Sequence, residues 1–289
     1  MTPQDPAFFS LAPARVRKDL LMRGLCWAAM AAAVVPLLSL LYMVVSRGLH
    51  RFDLDFFLHL PRPVGIPGGG MANSIVGTLE LVALASLMGA PVGILAGIYL
   101  SEFGASRFAY GVRFLADVLS GVPSIVTGIF AYEVVVQPMH GFSGLAGAFA
   151  LGLMMIPVIT RITEEVVRLV PLSLREAALA LGVPRWRTIV TVVVRTAAGG
   201  IATGLLLAAT RVASETAPLL FTAFNSQFWT AGPGQPTATL TVNIFTYAIS
   251  PYQEWQDLAW TGALVLLLIV LAVSLVSRFT VAKNRHIQL

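Results

Sequence analysis

The sequence is short of charge and almost without cysteine. Of 289 residues only 11% are charged, 57% are hydrophobic, and the mean hydropathy is +0.81. A soluble globular chain carries roughly 25% charged and about 45–50% apolar residues. A soluble domain of this size could not cover so much apolar surface, so the composition points to a membrane protein. It also excludes a disordered chain, a disulfide scaffold and a coiled coil. The one cysteine, Cys26, cannot close an intramolecular disulfide and sits in an apolar run, where it reads as a packed, inert thiol. His50, His59, His140 and His286 form no close ligand pairs, and no nucleophile motif occurs. No catalytic residue and no metal ligand are therefore expected. A GxxxxGK[ST] phosphate loop is missing too, so any energy from ATP must enter through another subunit.

What is present is a series of long apolar runs. A spanning helix needs about 20 mostly apolar residues. Gly24–Ser46 is uncharged and gives the first; a run of this length exceeds the roughly 7–15 residues of a signal-peptide core, so it reads as a retained helix. Asn73–Ser101 gives the second, interrupted in charge only by Glu80. Val118–Tyr132 gives the third, between Asp117 and Glu133. Phe142–Thr160 and Thr196–Thr210, the latter extended through Arg211 to about Glu215, give the fourth and fifth. Leu258–Ser277 gives the sixth.

Six spans place both termini on one side, and the basic residues choose it. The formal net charge is +5, and 15 of the 19 basic residues fall on the side of the termini. Only Arg47, Arg51 and Arg62 fall on the other, and Arg211 lies within a span. By the positive-inside rule both termini are cytoplasmic. The basic excess is thus orientation in a lipid bilayer rather than a nucleic-acid footprint. The expected organisation is a cytoplasmic tail (1–23), a first transmembrane helix with an outside linker (24–72), a core transmembrane domain (73–280) and a second cytoplasmic tail (281–289). Thr216–Asp257 is the longest outside segment, marked as interfacial by Trp229, Tyr247, Tyr252, Trp255 and Trp260.

Glycine carries the packing signals. Gly89, Gly93 and Gly97 repeat every four residues in the second span, and Gly200 and Gly204 repeat the pattern in the fifth. Small residues at this spacing let helices approach closely, here inside the chain or, alternatively, against another subunit. Pro123, Gly128 and Pro218 read as helix interruptions whose freed backbone could line a path.

The inside segment Arg161–Arg195 is far longer than a tether requires. It contains Pro171-Leu-Ser-Leu-Arg-Glu-Ala-Ala-Leu-Ala-Leu-Gly-Val-Pro184, which predicts a short, bounded helix. Ser173 and Glu176 have capping-box spacing. Gly182 suits a left-handed stop, and Pro184 prevents continuation. Such a helix is suited to a groove on a partner.

Glu176-Ala177-Ala178, three residues and Gly182 resemble the EAA–G signature of permease subunits of ABC importers. The end of the signature departs: Val192, Val193, Val194 and Arg195 stand where the family has I-x-L-P. The resemblance implies an all-α polytopic membrane protein of the type I ABC importer permease fold, with six transmembrane helices and a cytoplasmic coupling helix. That helix, with Ser173, Glu176, Ala177, Ala178 and Gly182, would seat on a separate ATPase, which binds the ATP and Mg. Asn73-Ser-Ile-Val-Gly-Thr-Leu79, Gly121-Val-Pro-Ser-Ile-Val-Thr-Gly-Ile-Phe130 and Glu215-Thr-Ala-Pro-Leu-Leu-Phe-Thr-Ala-Phe224 are similar to the phosphate-importer branch of that family. So are Arg161-Ile-Thr-Glu164, Ser250-Pro-Tyr-Gln-Glu-Trp255 and Ala282-Lys-Asn-Arg285. This branch implies a second homologous permease, an ATPase dimer and a periplasmic phosphate-binding protein as partners.

Five charged residues are candidates for the substrate path. Arg211, about 24 Å into a fifth helix that starts near Arg195, lies past mid-bilayer. An arginine at that depth costs about 2.5–3.5 kcal/mol on insertion scales, and its guanidinium matches phosphate in charge and fork geometry. Glu215 follows four residues later, on the same helix face. The two form either a structural pair or an anion-binding arginine oriented by its carboxylate. Arg161 and Glu164, three apart at the inside end of the fourth span, are carried over from the resemblance, with plain interfacial charge as the alternative. Glu80 is the fifth and needs a basic partner. Arg161 and Arg211 lie toward opposite faces and could meet an anion in sequence. The alternatives in function are an importer for sulfate, molybdate or an organic solute, a channel or secondary transporter, and a membrane-embedded enzyme. The channel and secondary transporter leave the coupling helix unexplained.

Overall fold

A computed structural model describes residues 13–66 and 68–285, with backbone alone for 13–14 and 277–285. The first twelve residues of the N-terminal tail, Pro67, and His286–Leu289 lie outside the described residues. Among the described residues the regular structure is helical throughout. The helices are α1 (Pro13–Gly48), α2 (Leu54–Leu58), α3 (Ala72–Glu102), α4 (Arg107–Gly121), α5 (Ser124–Ala131), α6 (Gln137–Met139), α7 (Gly144–Arg168), α8 (Leu172–Ala180), α9 (Arg185–Thr188), α10 (Val194–Ala213), α11 (Ala217–Leu220), α12 (Leu240–Ala248) and α13 (Gln253–Arg285).

The chain divides into two compact units, Met1–Arg47 and Gly48–Leu289. Among its described residues the first is one long apolar helix, α1. Its leucines are exposed, as is Cys26, which is therefore not the packed thiol expected from its neighbours.

The second unit is built on α7. Gly89, Gly93 and Gly97 of α3 lie against it: an added Cβ would come within 2.7 Å of the Gly152 carbonyl, 2.8 Å of Ile159 and 2.5 Å of Thr163. Residue numbers rise together along this contact, so α3 and α7 are parallel. Gly200 and Gly204 of α10 press on Val166 and Ile162 in the opposite sense, so α10 is antiparallel to α7. Both glycine stripes serve packing within the chain. Leu81, Ala85, Leu151, Met155, Ile159, Ala208 and Val212 fill the core between these helices.

Three sequence expectations need correction. The third span is not one helix centred on 118–132. It is α4 followed by Ser124–Met139, meeting at 103° across Val122 and Pro123, because proline supplies no N–H to continue the ladder. Gly128, by contrast, interrupts nothing. It sits inside α5, and an added Cβ there would meet Pro218 Cα at 2.6 Å, so it marks a close approach. The fifth span starts at Arg185 rather than Thr196. α9 runs into α10 through a π-helical turn, Ile189–Val193, so the residues that depart from the family signature are helical and Arg195 is interior to the helix.

The outside linker is also more ordered than its Pro and Gly content suggested. Asp53 caps α2 by accepting from the Phe56 amide at 2.9 Å, and Phe56 is fully buried with Met71, Leu240, Tyr247 and Leu258. Gly70 passes so close that a Cβ would lie 2.4 Å from the Asp55 carbonyl.

Candidate functional site

The charged candidates separate along the axis of α7. Near its inner end Glu164 is buried, its side chain 3% exposed. Leaving a carboxylate unpaired there would be costly, and three guanidinium groups surround it. Arg113 Nε donates to Oε1 at 2.7 Å, Arg168 Nη2 to Oε1 at 2.6 Å, and Arg161 Nη1 to Oε2 at 3.3 Å. Arg161 Nε and Nη2 both donate to Asp117 of α4, Nε at 3.0 Å. Arg113 donates also to the Gly104 and Leu100 carbonyls, both at 2.9 Å. Arg161 and Glu164 thus belong together, as their spacing suggested. The sequence did not reveal Arg113, Asp117 and Arg168 as members. Asp117 at the edge of an apolar run was the available signal. Every nitrogen of Arg161 is engaged by a carboxylate in this arrangement, so an anion approaching it competes with Asp117.

Arg211 is different. Gly204 lies level with Ile162, and Leu219 lies against Gly147 in the same register, which puts Arg211 level with the middle of α7, near Met155. Arg161 is six residues further toward the inner end, an axial offset of about 9 Å. Although at mid-depth, Arg211 is in the last turn of its own helix, because α10 stops at Ala213. There the C-terminal end of the helix dipole favours a cation. The expected pairing with Glu215 does not form. The helix ends two residues before Glu215, so the four-residue spacing no longer puts both side chains on one face, and no ion pair joins them. Arg211 is exposed. Glu80 is level with the first turn of α7, about 16 Å along the axis from Arg211, and makes no ion pair among the described residues.

Beyond Ala213 the outer half of the unit is irregular. Thr216–Asp257 is not a simple outside segment: Leu219, Ala223, Ala238 and Leu240 are buried in the unit, and the loop after α11 and the start of α12 are tied to α3 by neutral polar groups. Asn73 Nδ2 donates to the Ser226 carbonyl at 2.8 Å, and Asn225 Nδ2 to Asn243 Oδ1 at 2.5 Å. Asn243 Nδ2 donates to Ser74 Oγ, and Thr78 Oγ1 accepts from the Leu240 amide at 2.9 Å. Asn73, Ser74, Thr78 and Asn243 are all buried. Their role was missed in the sequence, although three polar residues within six on an apolar helix were the signal. Phe224, in left-handed backbone (φ 60°), stacks on Phe142 at 4.8 Å. Asn225–Ala231, Gln235 and Pro236 line an open cavity of about 460 Å³.

At the other end, α8 matches the short helix read from the sequence, but not its cap. Pro171 is the N-cap and no side chain caps the helix; Ser173 is already inside it, so the Ser173–Glu176 box does not form. The stop is as expected. Gly182 has φ +76°, its amide bonds the Leu179 carbonyl at 2.9 Å, and the Val183 amide bonds the Ala178 carbonyl at 3.2 Å, a Schellman closure. Ala178 faces inward, while Glu176, Ala177 and the leucines face out, with Leu172 71% and Leu181 84% exposed.

Residues 89–285 match the family described as binding-protein-dependent transport system inner membrane component. The chain is 44% identical over 273 residues to the phosphate transport system permease protein PstA of Yersinia pestis, covering 94% of this chain and 92% of that one. It is 35% identical over 298 residues to PstA 1 of Mycobacterium tuberculosis, covering 99% and 96%. In fold it resembles a chain of a bacterial ABC transporter that imports the acidic polysaccharide alginate (TM-score 0.64, 14% identity, 94% and 99% covered). A chain of the MetNI methionine ABC transporter in an inward-facing conformation is also similar (TM-score 0.59, 16% identity, 74% and 94% covered).

Proposed function

Because the chain belongs to the family of binding-protein-dependent transport system inner membrane components, we propose that it is one of two permease subunits of an ATP-driven phosphate importer. The observation that carries the substrate is its similarity, over nearly the whole length, to phosphate permeases. It does not itself hydrolyse ATP. A PstB-like ATPase dimer binds ATP and Mg on the cytoplasmic side and seats on the outward leucines of α8 around Glu176, Ala177 and Gly182. A PstC-like permease supplies the other half of the path, and a PstS-like phosphate-binding protein delivers substrate to the outer surface, where the exposed residues of Thr216–Asp257 such as Phe228 and Trp229 lie. The basic residues orient both termini to the cytoplasm.

The path runs past Arg211 and then Arg161. Arg211, exposed at mid-depth where α10 is interrupted, has donors free for an oxyanion. Discontinuous helices line substrate sites in other transporters; here the guanidinium supplies the positive charge that the C-terminal end of α10 does not. Arg161 lies about 9 Å further in and trades Asp117 for the anion. Glu164 holds Arg161 in place, and Glu215 and Glu80 contribute negative charge on the outer side of Arg211, where they repel a second anion.

ATP-dependent uptake of labelled phosphate by the reconstituted complex, with sulfate as competitor, tests the assignment. Arg211→Ala is expected to lower uptake by at least about tenfold, the scale of a lost charge-assisted hydrogen bond, while the ATPase stays bound. Normal uptake by this variant removes Arg211 from the path, and sulfate uptake matching that of phosphate overturns the substrate.

A further inference from the structure

The short helix α8 packs on the π-helical turn Ile189–Val193 and is joined to the ends of α3 and α7 by a side chain. Arg175 is the one residue of α8 that reaches inward with charge. Its Nη1 pairs with Glu102, the last residue of α3, and its Nη2 donates to the Val167 carbonyl in the last turn of α7 at 2.9 Å. Both side chains are sheltered, Glu102 at 6% and Arg175 at 17% exposure. Arg185, just after the α8 stop, reinforces the same point: Nη2 donates to the Glu102 carbonyl at 3.0 Å, and the guanidinium lies 4.9 Å from the centre of the Phe103 ring. Directly above, Gly97 lies on Thr160 and Thr163 with no room for a methyl group, so the ends of α3 and α7 form one body. The route from α8 to α10 instead passes through the π-helical turn Ile189–Val193, where an i→i+5 ladder replaces the usual one.

We propose that Glu102 and Arg175 are the positioning residues that transmit displacement of α8 to the α3–α7 pair, the pair that carries Arg161 and Glu164. The proposal rests on the reading of α8 as the ATPase-docking helix. Neither residue contacts the outward face with Leu172 and Leu181, so loss of the link uncouples rather than detaches the ATPase.

The test is Glu102→Gln in the full reconstituted complex, reading three quantities: ATPase copurification, ATP hydrolysis, and phosphate moved per ATP. The expected result is a retained ATPase with continued hydrolysis and a fall of about tenfold in phosphate per ATP, the scale of one charge-assisted hydrogen bond. The exchanged pair, Glu102→Arg with Arg175→Glu, recovers part of the ratio. If Glu102→Gln does not accumulate in the membrane, Arg175→Lys, which keeps the charge but cannot serve Glu102 and Val167 together, is measured in the same way. An unchanged ratio with ATPase bound overturns the link alone. Loss of the ATPase from the variant makes the pair a support of the docking surface and also overturns it. A wild-type complex that retains no ATPase overturns the parent reading together with the link.

Discussion

The inner and outer ends of the α3–α7 pair bury polar groups by opposite means. At the inner end the groups are ions: Glu164 with Arg113, Arg161 and Arg168, and Glu102 with Arg175. At the outer end they are amides and hydroxyls: Asn73, Ser74, Thr78, Asn225 and Asn243. The difference follows from what each end must do. The inner cluster sits beside α8, the helix proposed to dock the ATPase, and can change partners, since an ion can exchange one counter-charge for another. The outer network fixes an irregular loop that has no helix to order it, and amides and hydroxyls do so through the fixed geometry of mutually satisfied hydrogen bonds.

The sharpest way to break this comparison is Glu164→Gln. It leaves three guanidinium groups facing one another and is expected to cost about 3–5 kcal/mol, as for other buried ion pairs that lose one member. Thermal unfolding of the purified chain in detergent reads it, and a change no larger than that of an exposed substitution would mean that solvent already screens the cluster. Asn243→Ala comes next. It strands the Asn225 amide and the Ser74 hydroxyl, each deprived of a partner, at about 1–3 kcal/mol, and limited proteolysis should show cleavage moving into the loop 225–239. Resistance equal to wild type would show that the network is not what orders the loop. The smallest effect on stability belongs to Asp117→Asn, since the Asp117 side chain is 60% exposed; less than about 0.5 kcal/mol is expected. Its signature is functional: Arg161 loses a competing carboxylate, so half-maximal phosphate uptake shifts to lower concentration. A shift the other way would make Asp117 part of the anion site instead.

Long features were legible in the sequence and geometrical ones were not. The apolar runs, the glycine stripes and the Gly182 stop each rest on one residue type at a fixed spacing, and each has its place in the fold. Arg161 and Glu164 were readable because they are three apart on one helix. Arg113 and Asp117 come from α4, some fifty residues earlier, and only the 103° bend at Pro123 brings that helix to the end of α7. The Arg211–Glu215 pair failed for a local reason. A four-residue spacing implies contact only while the helix continues, and α10 ends at Ala213. The capping box failed similarly, since Pro171 begins the helix before Ser173 can cap it.

The contact between α3 and α7 has a consequence for biogenesis. The forty-one residues between Glu102 and Gly144 must be synthesised before α7 exists, so α3 is in the bilayer well before its glycine stripe has anything to meet. Until then the stripe faces lipid, where an extra methyl group is harmless. Gly93→Leu or Gly97→Leu should therefore pass insertion unnoticed and fail later, when α7 arrives and finds its groove filled. The chain would be integrated in the membrane with its spans correctly threaded, yet open to quality-control proteases, an assembly defect that a test of insertion alone would not register.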